Sequence, residues 1–193
     1  MNDPTIGIIY ARDRHPAAKS LTDLQDPERA ALVLCDEHLP LSEALAREWE
    51  QDAHFLLYRL DADPSGDEFA FARVSKRSPF LQQLEEAGGR VRIPLLVFDF
   101  DLHVDGKKAR WTPERFEQHL VALAQPGLPE PTAFYSTLHG SRLIYVLSEE
   151  VGPTEAEALT IGMIQRFAAL GVQFDEQCSD WTRLFRLPCT VRA

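Results

Sequence analysis

The run Pro94-Leu-Leu-Val-Phe98 is unbroken in its apolar character, yet it continues directly into Asp99-Phe-Asp101. A stretch rich in Val, Leu and Phe reads as a buried strand over residues 94–101. Such a strand does not ordinarily end in two acids, because burying a carboxylate without a partner is costly. Asp99 and Asp101 are two positions apart, so an extended backbone points both to one face. Adjacent carboxylates repel, and a divalent cation such as Mg²⁺ or Mn²⁺ relieves the conflict because hard cations take oxygen ligands. A lone Asp-x-Asp also fits a strand whose last acids reach solvent, so the remaining chain has to decide between the two.

The 193 residues suffice for one large domain or two small modules, and 45% hydrophobic with 26% charged residues is ordinary for a globular chain. No apolar run approaches the ~20 residues of a membrane span. The first residues, Met-Asn-Asp-Pro4, lack the basic and apolar regions of a signal peptide, so a cytoplasmic setting is expected. Cys35, Cys178 and Cys189 are widely spaced, which favours free thiols over a zinc site. The formal charge of -10 argues against a general nucleic-acid coat, but not against an enzyme with a local basic patch.

Residues 1–93 read as a mixed α/β module. Strands are expected at 5–10 and 53–60, a helix at 41–51, and a turn-rich loop at 61–67. Ser78-Pro79 opens a second helix that Gly88-Gly89 stops. From residue 94 the signals sharpen. After the strand comes a polar loop with Asp105-Gly106. Thr112-Pro113 then opens a helix to about Ala124, with Phe116, Leu120 and Leu123 expected on one face. Residues 126–131 form a linker, and strands at 133–137 and 142–147 flank a glycine turn. Thr154-Glu-Ala-Glu157 has the form of a capping box for a helix reaching Leu170, which Gly171 ends. Short strands are expected at 172–175 and 183–187. The order over 94–175 is β-α-β-β-α-β, a split-βαβ, ferredoxin-like arrangement within an α+β chain, with residues 94–193 as the second module. That topology brings Asp99, Asp101 and Asp175 together on one sheet face, beside Arg142. Leu96, Phe98 and Phe100 fall on the opposite face, under two helices.

Three carboxylates gathered from distant parts of a chain suit a metal site for nucleotidyl transfer. The turn Ser136-Thr-Leu-His-Gly-Ser-Arg142 offers hydroxyls, backbone N–H groups, His139 and Arg142 to phosphate oxygens, although Gly and Ser are also routine in hairpin turns. In Asp180-Trp-Thr-Arg-Leu-Phe-Arg-Leu-Pro188, Arg183 and Arg186 can meet phosphates, or pair with some of the 30 acids. Lys107, Lys108 and Arg110 form a basic loop whose ordinary meaning is a solvated turn.

In this succession the chain resembles the archaeo-eukaryotic primase superfamily, the primase-polymerases. Phe98-Asp99-Phe100-Asp101 is similar to the family's first motif, an apolar strand ending in Asp-x-Asp or Asp-x-Glu. Ser136–Arg142 followed by Leu143-Ile-Tyr-Val-Leu147 is similar to the second, Phe174-Asp175 to the third, and Arg183 to Pro188 resembles a downstream Arg-x-Phe-Arg-x-Pro-like segment. The likeness covers about residues 94 to 190. It departs from the pattern where Arg142 stands in the place of the usual nucleotide-binding His. The resemblance implies a DNA primase or DNA-directed polymerase domain using Mg²⁺ or Mn²⁺. Asp99, Asp101 and Asp175 are then the catalytic metal ligands, and Ser136, His139, Arg142, Arg183 and Arg186 the nucleotide contacts. The implied partners are a single-stranded DNA template, NTP or dNTP, and a helicase or other replication protein in a longer parent chain.

Three other readings compete. A haloacid-dehalogenase-type phosphatase shares the apolar strand and Asp-x-Asp, but Leu102-His103 stand where that family has Gly-Thr. A polymerase-β-type nucleotidyltransferase places Gly-Ser before the acids, whereas Gly140-Ser141 follow them. A non-catalytic RNA-recognition-like module stacks bases on exposed sheet aromatics, where this strand carries acids.

Overall fold

The computed structural model describes residues 3–10, 33–34, 37–50, 53–61, 69–70, 72–73 and 79–189. Cys35, the helix-opening Ser78 and most of the 61–67 loop lie outside them. The chain is α+β, with antiparallel sheets and few helices.

The expected strand at 94–101 is the long β8 (Arg90–Asp101), which begins earlier than the apolar run because Arg90, Val91 and Arg92 pair with β5 (Arg59–Asp61). On its other side β8 pairs with β12 (Gly140–Val151), and β12 pairs with β11 (Ala133–Ser136). With β6 (Phe69–Ala70) outside β5, these make a five-stranded sheet in the order β11-β12-β8-β5-β6. A second sheet has the order β13-β4-β1-β3, built from β1 (Thr5–Tyr10), β3 (Glu37–Pro40), β4 (Ala53–Phe55) and β13 (Phe185–Arg186). The pair β2 (Val33–Leu34) with β7 (Ala72–Arg73) stands apart from both sheets.

Both faces of β8 are covered until its last residues, and this corrects the expectation of one apolar and one open face. Leu96 and Phe98 face α2 (Pro79–Glu86) and α4 (Pro153–Ala169) in one core, with Leu81, Leu84 and Phe167. Phe98 meets Tyr145, Phe167 and Phe174 edge-on at 5.5–5.8 Å. Leu95 and Val97 face the second sheet in another core, with Ile6, Ile8, Phe55 and Phe185. A strand buried on both sides reads as a continuous run rather than an alternation, which is why residues 94–98 are all apolar. The same row continues with the buried Asp99 and the half-buried Asp101, which line a cleft with Arg186 and residues 187–189.

Other elements depart from expectation for local reasons. The helix read over 41–51 stops at Ala46 (α1, Leu41–Ala46), and Trp49 is buried beyond it with its Nε1–H on the Ala44 carbonyl. The strand read over 53–60 is broken between β4 and β5. In α3 (Pro113–Leu123) the buried residue is His119, whereas Leu120 is exposed. Helix α4 starts one step before the expected capping box. Gly152 is its N-cap and Pro153, with φ already fixed for a helix, is at N1, so Thr154 lies inside. Residues 172–175 form no strand. They run extended beside β8 with one ladder-like bond, Asp175 N–H to the Asp99 carbonyl at 3.0 Å, and Asp175 then caps a 3₁₀ turn (Glu176–Ser179). Of residues 183–187, only Phe185 and Arg186 are paired, and with β4 from the first half of the chain.

Candidate functional site

At the C-terminal end of β8 lies a cleft of about 600 Å³. Its walls include all eight residues singled out in the sequence: Asp99, Asp101, Ser136, His139, Arg142, Asp175, Arg183 and Arg186. Pairing builds one wall. Asp101 sits opposite Gly140, Asp99 opposite Arg142, and Ser136 opposite Ser141 on the next ladder. The β11–β12 turn is closed by Thr137 N–H on the Gly140 carbonyl, and Leu102 N–H donates to the His139 carbonyl. Gly140 is required here, since a Cβ on it would lie 1.7 Å from the Phe100 carbonyl oxygen.

Each carboxylate has a basic partner from the protein. Asp99, with a side chain 11% exposed, accepts from Arg142 Nε at 3.1 Å and faces Arg183 Nη2 at 3.4 Å. Arg183 Nη1 also lies 2.7 Å from Asp175 Oδ2, so one guanidinium spans both acids. The other Asp175 oxygen accepts from Gln177 N–H. Asp101 pairs with Lys108 Nζ at 2.6 Å. Asp175 and Asp99 are thus held side by side through Arg183 and the backbone bond. Among the described residues, no group of three or more His, Cys, Asp or Glu side chains is gathered so as to hold a metal ion.

Arg142 is more committed than its expected role as a nucleotide contact implies. Besides Asp99, it donates to the Arg186 carbonyl at 2.6 Å and to the Tyr135 hydroxyl at 3.4 Å. Burial works against its charge, but Tyr135 and Asp99 outweigh that, and its pKa is raised. Tyr135 also donates to the Arg186 carbonyl at 2.7 Å, so β13 is tied to the first sheet at this point. His139 gives its Nδ1–H to the Ala109 carbonyl at 3.1 Å, because a carbonyl only accepts.

Comparison with known proteins returns no matching family model, no matching curated sequence and no matching solved structure. The geometry therefore carries the functional reading by itself.

Two cleft residues, Lys108 and Tyr135, and the neighbouring Cys178 carry no site role in the sequence reading. Lys108 was read as part of a solvated loop. Asp105 and Gly106 have φ of +52° and +73°, the turn that an Asp-Gly pair favours between two short strands. It folds β10 (Lys107–Lys108) back on β9 (His103–Val104), with Lys108 opposite His103 and its amine on Asp101. Asp-Gly was the available signal. Tyr135 lies on β11 among ordinary strand residues. Cys178 accepts the Asp99 N–H at 3.2 Å, and burial pushes its thiol up to about 12, so it stays protonated. Nothing in the sequence around Cys178 marks it.

Against a chain with a formal charge of -10, the cleft gathers Lys108, Arg142, Arg183 and Arg186 around three acids. A pocket whose basic side chains outnumber its acids on an acidic protein favours an anionic ligand. Arginine forks onto phosphate. No helix among the described residues is long and apolar enough to cross a membrane.

Proposed function

We propose that this chain is a primase-polymerase catalytic domain of the archaeo-eukaryotic kind. It transfers nucleotides from NTP or dNTP to a 3′ hydroxyl, or joins two nucleotides, on a single-stranded DNA template. The observation that carries the reading is one cleft lined by the acids of three motif-like segments and by four basic side chains. The topology adds support. β8 and β12 are neighbours, β11 lies outside β12, and Asp175 bonds to Asp99 beyond the stretch of β8 that pairs with β5. With α3 and α4 as the connections, this arrangement is compatible with the proposed split-βαβ unit, although residues 172–175 form no strand and β5 is the other sheet neighbour of β8.

As placed, the three acids form no ready cluster for a metal ion among the described residues, but their oxygens are the donors that Mg²⁺ or Mn²⁺ takes. Asp99, Asp101 and Asp175 offer hard oxygens, and a cationic group already lies between Asp99 and Asp175. These three acids would hold the ions, which when bound neutralise phosphate charge and activate the attacking hydroxyl. The chain's own part is positioning. Arg142 fixes Asp99 and anchors β13. Ser136 and the β11–β12 turn face the phosphates, with Arg183 and Arg186 as forked contacts. Lys108 and His139 close the side nearest the β9–β10 hairpin.

One observation favours a second reading, a non-catalytic nucleic-acid-binding module: every acid of the trio already has a protein cation as partner. Primer synthesis and extension on single-stranded DNA with Mn²⁺ decides between them. The expected result is incorporation by the wild type, lost in Asp99→Ala plus Asp101→Ala and in EDTA. Metal-independent DNA binding with no incorporation supports the module instead.

A further inference from the structure

The cleft's basic groups are not alike in how they are held. Arg142 is 16% exposed and is shared between Asp99, a backbone carbonyl and a phenol. Among the described residues, Arg183 and Lys108 make their close ionic contacts to the acid trio. Arg183 is 24% exposed and leans over the Phe185 ring at 5.1 Å. Lys108 is 58% exposed, on a short hairpin at the rim. Arg183 occupies the space between Asp99 Oδ2 and Asp175 Oδ2, where a shared divalent ion needs the same oxygens.

We propose that Arg183 and Lys108 are exchangeable counter-ions. They hold the acid trio when no divalent ion is bound and pass to the phosphates of an incoming nucleotide when ions take the carboxylates. This rests on the nucleotidyl-transfer reading and deepens it, because it names the order of preference within the cleft. A bare ion has to displace Arg183 and Lys108 from the acids with nothing to receive them. A nucleotide that brings its ion supplies phosphate oxygens, onto which guanidinium and ammonium groups transfer. The site therefore discriminates against bare metal and in favour of the metal–polyphosphate complex. By linkage, the ion strengthens polyphosphate binding as much as the polyphosphate strengthens ion binding.

The signature is an opposite shift in two affinities of one variant. Calorimetric titrations of the full chain use Mn²⁺ alone and the Mn²⁺ complex of a non-hydrolysable dATP analogue. The proteins compared are the wild type, Arg183→Gln and Lys108→Gln. Each variant is expected to bind bare Mn²⁺ at least about fivefold tighter and the complex at least about fivefold weaker, the lower end of ordinary coupling between sites. A plain phosphate contact or a structural prop does not tighten bare metal. If Arg183→Gln does not fold, Lys108→Gln on the exposed hairpin carries the test. Bare-metal affinity equal to or weaker than wild type in the folded variants overturns the inference and leaves the enzymatic reading standing. A wild type that binds neither Mn²⁺ nor the complex overturns both.

Discussion

Arg142 joins three parts of the molecule with one side chain: the Asp99 carboxylate, the Tyr135 phenol and the Arg186 carbonyl. Removing it takes the side-chain donor from Oδ1 of the buried Asp99 and leaves that carboxylate with Arg183 alone, which costs more than the bond itself contributes. Arg142→Met is therefore expected to lower stability by about 2–4 kcal/mol in urea unfolding, as for a broken buried ion pair. The same substitution should lower incorporation more than it weakens binding of the metal–nucleotide complex, since Arg142 positions Asp99. Equal losses in both would return Arg142 to the role of nucleotide contact. A second residue-scale prediction concerns His119. Its ring stacks on Phe100 at 4.2 Å and is hydrogen-bonded to the buried Ser141 hydroxyl at 2.8 Å. Burial lowers its pKa from 6.5 to about 4. The unfolded chain thus takes up a proton in that window that the folded chain refuses. The stabilising contribution is complete above pH 6.5 and is lost as pH falls toward 4. Thermal melts between pH 7 and 4.5 should show a steeper decline in the wild type than in His119→Gln, and parallel curves would refute this.

The β9–β10 hairpin is built from two-residue strands and reaches Asp101 through Lys108. Gly106, at φ +73°, has open space around its Cβ position, so a bulkier residue meets backbone strain alone. Gly106→Val is expected to leave global stability within about 1 kcal/mol while displacing Lys108. Its mark should be tighter bare Mn²⁺, as for Lys108→Gln. Unchanged metal binding with the hairpin disrupted would show that Lys108 does not compete for Asp101. The hairpin also shows what the sequence conveyed and what it withheld. Asp-x-Asp at the end of an apolar run marked β8, and the Ser136–Arg142 turn was legible as a hairpin connection. The covering of Leu95 and Val97 by a second sheet was not. Nothing local distinguishes a strand buried on both faces from one buried on a single face when the run is uniformly apolar. Residues 172–175 looked like a strand by composition. With a single bond to β8, from Asp175 to Asp99, they form no ladder and turn at once into the 3₁₀ cap, while Val172 and Phe174 anchor them in the core. The pairing of β13 with β4 joins residues more than a hundred positions apart, and no short-range pattern encodes it.

At the scale of the whole molecule, charge and architecture point the same way. The chain carries a formal -10, yet its largest concentration of chemistry lies in a cleft where basic groups outnumber acids. Helices α2 and α4 on one face and the four-stranded sheet on the other cover the apolar part of β8, and the site sits at its acidic end, where that cover stops. A net charge of -10 works against binding a DNA strand outside that cleft. Template affinity is therefore expected to be weak and to fall steeply with salt. The proposed account stands or falls on whether the acid trio takes divalent ions together with a nucleotide. Crystals grown with Mn²⁺ and a non-hydrolysable dATP analogue, measured at the manganese absorption edge, address this directly. The account predicts anomalous peaks in contact with Asp99, Asp101 and Asp175, with Arg183 and Lys108 moved onto phosphate oxygens. A nucleotide bound elsewhere, or no manganese in the cleft while Arg183 still spans Asp99 and Asp175, would contradict it.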